Sequence, residues 1–205
     1  VLLDIKNQFH HLAMLLALGL RGIPSASIYS QLSVETAGIS ATALLTDAGM
    51  ASVAGARVIP VTEQWFASDP DAAPDYPALL ALPGFADESA LARVAFSSGT
   101  TGIPKAVGFR AGIVRKRITS ATLLSGPGGL ERTLSIIGFS VFGGYQVALG
   151  QLGRGGLLVL ANNIPDAVQL IRIFEVGYMA AATVQVVAML KELQGHGPLT
   201  SLRTL

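Results

Sequence analysis

The chain contains no cysteine and little charge. Of its 205 residues, 13% are charged and 51% are hydrophobic, and the formal net charge is +1. The absence of cysteine excludes disulfide frameworks, thiolate metal sites and cysteine nucleophiles, and it fits a cytoplasmic protein. The nearly neutral charge argues against bulk electrostatic binding to nucleic acids or acidic membranes. The apolar composition indicates a folded protein with a core rather than a disordered tail.

Long hydrophobic runs are also missing. The two longest, residues 12–20 and 176–190, fall short of the roughly 20 residues that span a bilayer, and Gln185 interrupts the second. We therefore expect no transmembrane segment and interpret both runs as buried core. The first residue is Val1 rather than Met, and "SLRTL" at the other end is similar to the start of a strand. These features predict a piece of a longer chain, whose oligomeric state the sequence does not specify.

Predicted helices and strands alternate along most of the chain, which indicates an α/β fold with mainly parallel sheets flanked by helices. Residues 67–89 concentrate proline and aspartate and predict a connection, so we expect a first α/β part at 1–66 and a second at 90–205. The strand predicted at 56–61 contains Pro60 and is expected at a sheet edge. Helices are predicted at 7–19, 33–41, 111–124, 140–152 and 164–176, and the other strands near 23–28, 42–47, 91–96, 105–109, 132–139 and 157–161.

A polar loop at residues 97–105 stands apart in this apolar chain. Two glycines permit unusual backbone φ angles, so that successive backbone N–H groups can converge on one anion. Hydroxyl side chains add further donors, and a lysine adds a mobile positive charge. This composition predicts a polyphosphate site. Its candidate residues are Ser97, Ser98, Gly99, Thr100, Thr101, Gly102 and Lys105.

Two familiar phosphate motifs do not account for this loop. A Walker loop requires lysine directly after its second glycine, whereas Ile103 and Pro104 separate Gly102 from Lys105. The chain also lacks G-x-G-x-x-G, so a dinucleotide-binding fold has no anchor. By residue types alone, the loop could also be a flexible hairpin connection that is rich in turn-forming residues.

The whole string from Phe96 to Val107, FSSGTTGIPKAV, resembles the signature of the adenylate-forming (AMP-binding) superfamily, [YFL]-[TS]-S-G-[ST]-T-G-x-P-K-[GA]-V. This superfamily includes the acyl-CoA synthetases, the luciferases and the adenylation domains. Looser similarity to it extends over residues 10–27, 136–160 and 199–205. The resemblance implies that the chain is an incomplete large N-terminal domain of an acyl-CoA synthetase-like enzyme.

The resemblance also implies a reaction. Members of the superfamily use ATP to convert a carboxylic acid into an acyl-adenylate and pyrophosphate, and most then transfer the acyl group to a thiol such as coenzyme A. The loop would hold the β- and γ-phosphates, and Lys105 would either contact a phosphate or order the loop. A Mg²⁺-binding glutamate, a ribose-binding aspartate and a C-terminal lysine are expected after Leu205. No catalytic residue is therefore assigned within the chain, which is expected to be inactive alone.

Two alternatives stay open at this point. One is a catalytically decayed relative that keeps the fold as a nucleotide-binding or interaction module. The other is an unrelated phosphate-binding α/β domain, such as a kinase, which would release ADP rather than AMP. Glu175 and Glu192 lie on predicted helices, outside the sequence context of the family's metal-binding glutamate.

A second candidate site follows the strand predicted at 132–139. Where the family has an aromatic residue followed by histidine, or by aspartate in amino-acid adenylation domains, this chain has Phe139 and Ser140. A hydroxyl cannot neutralise an ammonium group, so a neutral acyl substrate is expected, as in fatty acid metabolism. The candidate acyl-pocket residues are Phe139, Ser140, Phe142, Gly143 and Gly144, and the alternative is that they only pack the core. Phe142 also replaces the second glycine of G-x-S-x-G, which argues against a serine hydrolase.

The remaining polar clusters predict no further site. His10 and His11 are adjacent, so on a helix they point about 100° apart, and His196 stands alone. We therefore expect no metal site built by this chain. The basic run at 115–117 is interpreted as a solvent-exposed helix face rather than a nucleic-acid patch.

Overall fold

The computed structural model describes residues 1–28, 38–47, 49, 53–67, 73, 75–97, 105–124, 132–194 and 197–203. By its internal contacts the chain divides into two units, Val1–Val114 and Arg115–Leu205. The first unit contains β1 (Leu2–Asp4), α1 (Gln8–Leu20), β2 (Ser25–Ser27), β3 (Ala43–Thr46), β4 (Arg57–Pro60), a 3-10 turn (Glu63–Trp65), α2 (Tyr76–Leu80), β5 (Leu91–Ser97) and β6 (Lys105–Arg110). Helix α3 (Ala111–Leu124) runs across the boundary, and the second unit continues with β7 (Arg132–Ser135), α4 (Phe142–Gly153), β8 (Leu157–Leu160), α5 (Ile164–Ile173), β9 (Tyr178–Ala180) and α6 (Thr183–Glu192).

The first unit is built on a six-stranded sheet with the order β4-β3-β1-β2-β5-β6. Every neighbouring pair in it is parallel except β5 and β6, which form an antiparallel hairpin. The second unit has a three-stranded parallel sheet with the order β8-β7-β9. The predicted α/β class with mainly parallel sheets flanked by helices is confirmed. Pro60 ends β4 at the edge of the first sheet, as predicted.

Helix α1 shows how local chemistry sets the limits of an element. The Asn7 side chain accepts hydrogen bonds from the backbone N–H groups of Phe9 and His10, at 3.0 and 3.2 Å. At the other end, Gly22 has φ +67° and the N–H of Ile23 donates to the carbonyl of Leu18 at 2.9 Å. This closing turn needs a left-handed residue, which glycine adopts without strain. The helix therefore begins and ends close to the predicted limits of 7–19.

The unit boundary differs from the predicted organisation. Strand β2 pairs in parallel with β5, through Ser25 with Arg93 and Ala26 with Val94, so the first sheet continues across the connection at 67–89. That connection also contains the short helix α2. A prediction based on proline and aspartate content cannot detect such pairing, because it is made between residues far apart in sequence.

Three predicted elements have different limits. The strand expected at 132–139 ends at Ser135, where β9 also ends its pairing. The helix expected at 164–176 ends at Ile173, so Glu175 lies beyond it with φ +46°. Residues 33–37 of the helix expected at 33–41 lie outside the described residues, and 38–41 are not helical.

The interpretation of both apolar runs as buried core holds only in part, since Leu16 and Leu20 of the first run are 37% and 42% exposed. Helix α6 packs Met189 into the core of the second unit, but Val184 and Leu190 on its outer side are 72% and 61% exposed. Within the described ranges, no helix is both long enough and apolar enough to cross a membrane.

Candidate functional site

The hairpin of β5 and β6 carries the predicted phosphate loop. Its paired residues run from Arg93 opposite Phe109 to Ser97 opposite Lys105, so the connection between the strands is residues 98–104. Ser97 and Lys105 are exposed, and Ser97 Oγ lies 3.5 Å from the backbone oxygen of Lys105. Directly opposed residues of a strand pair project to the same face of the sheet. The structure therefore places both ends of the loop side by side. The predicted residues Ser98, Gly99, Thr100, Thr101 and Gly102 lie outside the described residues.

Behind the loop, β5 packs on both faces of the sheet. Phe96 is buried in the hydrophobic cluster that contains Leu2, Ala26 and Leu44 of the three neighbouring strands. Alternate residues of a strand point to opposite faces, so Ser97 and Arg93 project away from that cluster. The burial of Phe96 thus holds the end of β5 in the sheet, while the next residue, Ser97, is exposed at the start of the loop.

Sequence reasoning missed a buried polar chain on the other face. Arg93 is only 1% exposed, and its Nη1 and Nη2 donate to Ser25 Oγ at 3.1 Å and to Ser27 Oγ at 2.6 Å. Ser27 Oγ lies 2.6 Å from His11 Nε2, and His11 Nδ1 lies 3.0 Å from the backbone oxygen of Ile5. In the sequence, the only sign of these buried hydrogen bonds is an arginine inside the apolar string "LARVAF".

The hydrogen bonds fix the state of His11. The carbonyl of Ile5 can only accept, so Nδ1 carries the proton and Nε2 accepts from Ser27 Oγ. Burial, and then the nearby positive charge of Arg93, lower the pKa of His11 from 6.5 to about 4. Although Ser27 and His11 are in hydrogen-bonding contact, Ser27 is fully buried and no substrate can reach it as a nucleophile.

The neighbouring His10 serves a different packing contact. Its ring stacks on Phe66 with centroids 3.8 Å apart, and its Nε2 lies 3.4 Å from Glu63 Oε2. This pair holds the 3-10 turn against α1. Nowhere in the described part of the chain do three or more histidine, aspartate or glutamate side chains converge as a metal site would require, and His196 lies outside that part.

The second predicted site lies at the carboxyl edge of the three-stranded sheet. Gln185, at the start of α6, donates from Nε2 to the carbonyl of Ile136 at 2.6 Å and accepts at Oε1 from the N–H of Ala182 at 2.8 Å. It therefore ties the segment after β7 to the segment after β9. Open α/β sheets bind ligands at this edge. In the sequence, Gln185 was noted only as an interruption of an apolar run.

The candidate pocket residues at this edge are packed in different ways. Phe139 and Phe142 are buried, and the Arg117 guanidinium lies 5.3 Å from the centre of the Phe142 ring. Ser140 is half-buried. A Cβ built on Gly143 would meet nothing within 4 Å. The basic run at 115–117 is exposed on α3, as predicted.

Gly144 packs closely against the backbone of the segment that precedes α4. A Cβ at this position would lie 2.6 Å from the carbonyl oxygen of Gly138 and still closer to that of Ile137. The space beside Gly144 is therefore filled by the backbone of the preceding segment. Of the two glycines, only Gly143 faces open space.

No protein-family model and no curated protein sequence matches the chain. Solved structures do. The O-succinylbenzoate coenzyme A synthetase MenE from Bacillus subtilis, in complex with AMP, is 20% identical over 98% of this chain and 52% of that one, with a TM-score of 0.70. The amide bond synthetase McbA from Marinactinospora thermotolerans is 22% identical over 98% and 43%, with a TM-score of 0.70. A luciferase-like enzyme from the mealworm Zophobas morio is 14% identical over 98% and 52%, with a TM-score of 0.68.

These three proteins are adenylate-forming enzymes, and the chain spans about half the length of each. The chain therefore has part of the adenylate-forming fold. The resemblance inferred from the string at Phe96–Val107 is confirmed at the level of fold, over nearly the whole chain rather than at the loop alone.

Proposed function

We propose that the chain is part of an ATP-dependent ligase that activates a carboxylic acid as an acyl-adenylate and passes the acyl group to coenzyme A. One observation carries the proposal. The signature string lies on a hairpin whose ends, Ser97 and Lys105, are paired and exposed, within a fold shared with adenylate-forming enzymes. The proposed location is cytoplasmic, and the proposed domain is a partial AMP-binding domain.

The proposed chemistry is an in-line displacement. A carboxylate oxygen attacks the α-phosphorus of ATP, the bond to the bridging oxygen of the β-phosphate breaks, and pyrophosphate leaves with the bonding electrons. Loop donors aimed at the β- and γ-phosphates would stabilise the charge that grows on the leaving group. Lys105 is an exposed cation at the end of the loop, on the same face as Ser97, and suits this role.

The names of neighbouring structures support the choice of ligands. MenE has been solved with AMP, with ATP and a magnesium ion, with the acyl-adenylate intermediate OSB-AMP, and with the product analogue OSB-NCoA. Mg²⁺ would neutralise phosphate charge in such a reaction. Among the described residues, no group of three or more histidine, aspartate or glutamate side chains could hold a metal ion, so no described residue is assigned to Mg²⁺.

The proposed substrate is a neutral carboxylic acid of the fatty acid kind. Ser140 follows the buried ring of Phe139, and the segment from 132 to 144 contains no carboxylate to pair with an ammonium group. A Cβ on Gly143 would meet nothing within 4 Å, so of the two glycines it is the one that suits a pocket wall.

A catalytically decayed module is the second candidate function. One observation favours it, namely that Ser140 stands where relatives have histidine or aspartate. Carboxylate-dependent exchange of labelled pyrophosphate into ATP, measured on the protein expressed with any residues that follow Leu205, separates the two. Exchange supports the ligase, whereas ATP binding without exchange supports the module. Release of ADP instead of AMP would contradict both and indicate a kinase.

The 205-residue chain provides a simpler test by calorimetric titration with ATP. We expect weak binding that Lys105→Met weakens about tenfold, since a charge-assisted contact to phosphate is lost. Lys116→Met removes another exposed lysine, on α3, and serves as the matched control, with unchanged affinity expected. Equal affinities for both variants would contradict the assignment of the loop. Vigorous pyrophosphate exchange by this chain alone would contradict the view that its site is incomplete.

A further inference from the structure

The hairpin that carries the loop is attached to the parallel sheet by a short ladder. Strand β2 has three residues, and only Ser25 and Ala26 of it are registered with β5. The pairing of β5 with β6 also shifts register between Leu91 and Arg93, beside this attachment. Among the residues that the structure describes, backbone pairing alone therefore gives the hairpin few contacts that define its position along β2.

Arg93 lies at this attachment and spans it. Its guanidinium bonds to Ser25 and Ser27, two residues of β2 on one face, and Ser27 continues the chain of hydrogen bonds to His11 on α1. A planar guanidinium donates in two fixed directions, so it specifies both the distance and the register of the two hydroxyls. Burying a cation carries a desolvation cost that an apolar side chain of similar size would avoid. Stability alone therefore does not explain an arginine here.

We propose that Arg93 is a positioning residue, which fixes the β5–β6 hairpin on β2 and so sets the place of the loop between Ser97 and Lys105. Ser97 lies four residues further along the same strand and on the same face, at about 13 Å. Since a paired strand is stiff over this length, a slip at Arg93 moves Ser97 with it. The link to phosphate binding rests on the proposed function, whereas the link to hairpin position does not.

The test combines amide hydrogen exchange with ATP titration on the 205-residue chain. Arg93→Met removes both the charge and the two guanidinium donors. Arg93→Lys keeps the charge but replaces the planar guanidinium with a single ammonium group. We expect about tenfold faster exchange at 91–97 and 105–110 in both variants, with exchange in β3 and β4 unchanged. ATP affinity is expected to fall about tenfold in both, because small misplacements of ligand-binding groups are costly.

Arg154→Met is the matched control. Arg154 also makes two hydrogen bonds, to Gln151 Oε1 at 2.6 Å and to the carbonyl of Ala121 at 3.4 Å, but it lies in the second unit. It should leave hairpin exchange and ATP affinity unchanged. If Arg93→Met does not fold, Ser25→Ala removes only one of the two contacts and should show the same local pattern at smaller size.

Each outcome decides one part of the proposal. Unchanged hairpin exchange in Arg93→Met, or equal acceleration in all strands, overturns it. Rescue by Arg93→Lys overturns the argument from the guanidinium fork. Faster hairpin exchange with unchanged ATP affinity overturns the link to the loop. If the unmodified chain shows no ATP binding at all, the proposed function fails, and the exchange data still decide whether Arg93 positions the hairpin.

Discussion

The two candidate regions differ in how their residues come together. In the β5–β6 hairpin, the candidate phosphate residues all lie within residues 97–105, and the two that the structure describes are exposed side by side. In the segment after β7, the candidate pocket residues are also close in sequence, but Phe139, Phe142 and Gly144 are packed against neighbouring structure. A contiguous loop can be recognised by its residue types, whereas a pocket depends on what surrounds it.

The regions also differ in what lies behind them. The hairpin is backed by the buried polar chain of Arg93, Ser27 and His11, while the second region is backed by an apolar core around Leu134 and Met179. We therefore expect the stability of the first unit, behind the hairpin, to change with pH. In the second region, we expect stability to change with the volume of side chains.

The largest effect is expected from Gly144→Ala. The added methyl group would overlap two backbone carbonyls that cannot rotate away, so the free energy of unfolding should fall by about 3 kcal/mol. Urea denaturation measures the change. Gly143→Ala is the control, because its methyl group meets nothing and the helix gains about 0.5 kcal/mol. Equal effects of the two substitutions would show that the backbone around Ile137 and Gly138 moves to accommodate the methyl group. The close packing at Gly144 would then not distinguish it from Gly143.

The next effect is a pH dependence that comes from His11. Its pKa is about 4 in the folded chain and about 6.5 when unfolded, so the unfolded chain binds a proton first as the pH falls. Above pH 7, His11 does not change the free energy of unfolding. As the pH falls from about 6.5 to 4, protonation of His11 in the unfolded chain lowers the free energy of unfolding. At pH 5 the loss of stability relative to pH 8 is about 2 kcal/mol.

His11→Gln removes this titration while it keeps a polar side chain. Denaturation of both proteins from pH 8 to pH 4.5 should show a smaller decrease in stability for the variant. The same decrease in both would mean that His11 is protonated in the folded chain about as readily as in the unfolded chain. A neutral His11 that accepts from Ser27 would then be ruled out.

The smallest effect is expected at Glu175, beyond the end of α5. Its φ of +46° costs about 1 kcal/mol for a residue with a side chain, and its exposed ion pair with Arg132, at 2.9 Å, returns at most about 0.5 kcal/mol. Glu175→Gly should therefore raise the free energy of unfolding by about 0.5 kcal/mol. Glu175→Gln keeps the backbone strain and loses the ion pair, so it should not stabilise. A loss of stability in Glu175→Gly would mean that the ion pair with Arg132 stabilises the fold by more than the positive φ of Glu175 costs.

Local elements were largely predictable because their determinants are adjacent in sequence. Asn7 and Gly22 limit α1 through hydrogen bonds within a few residues, and the string at 111–124 forms α3 over its predicted length. The strand at 132–139 was predicted too long, since Ile136 and Ile137 continue its apolar pattern. Its end is set at Ser135 by the last pairs with β8 and β9, which the pattern does not contain.

The class of fold, the alternation of strands and helices, and a loop whose residue types predict an ATP site could all be inferred from the order of the residues. These follow from periodicity, capping and residue types that act over short distances. Three features required the folded structure. They are the pairing of β5 in the first sheet, the burial of Arg93 against Ser25 and Ser27, and the backbone carbonyls at the Cβ position of Gly144. The physical reason is that pairing, burial and close approach depend on groups far apart in the chain, and side-chain chemistry alone does not specify which of them meet.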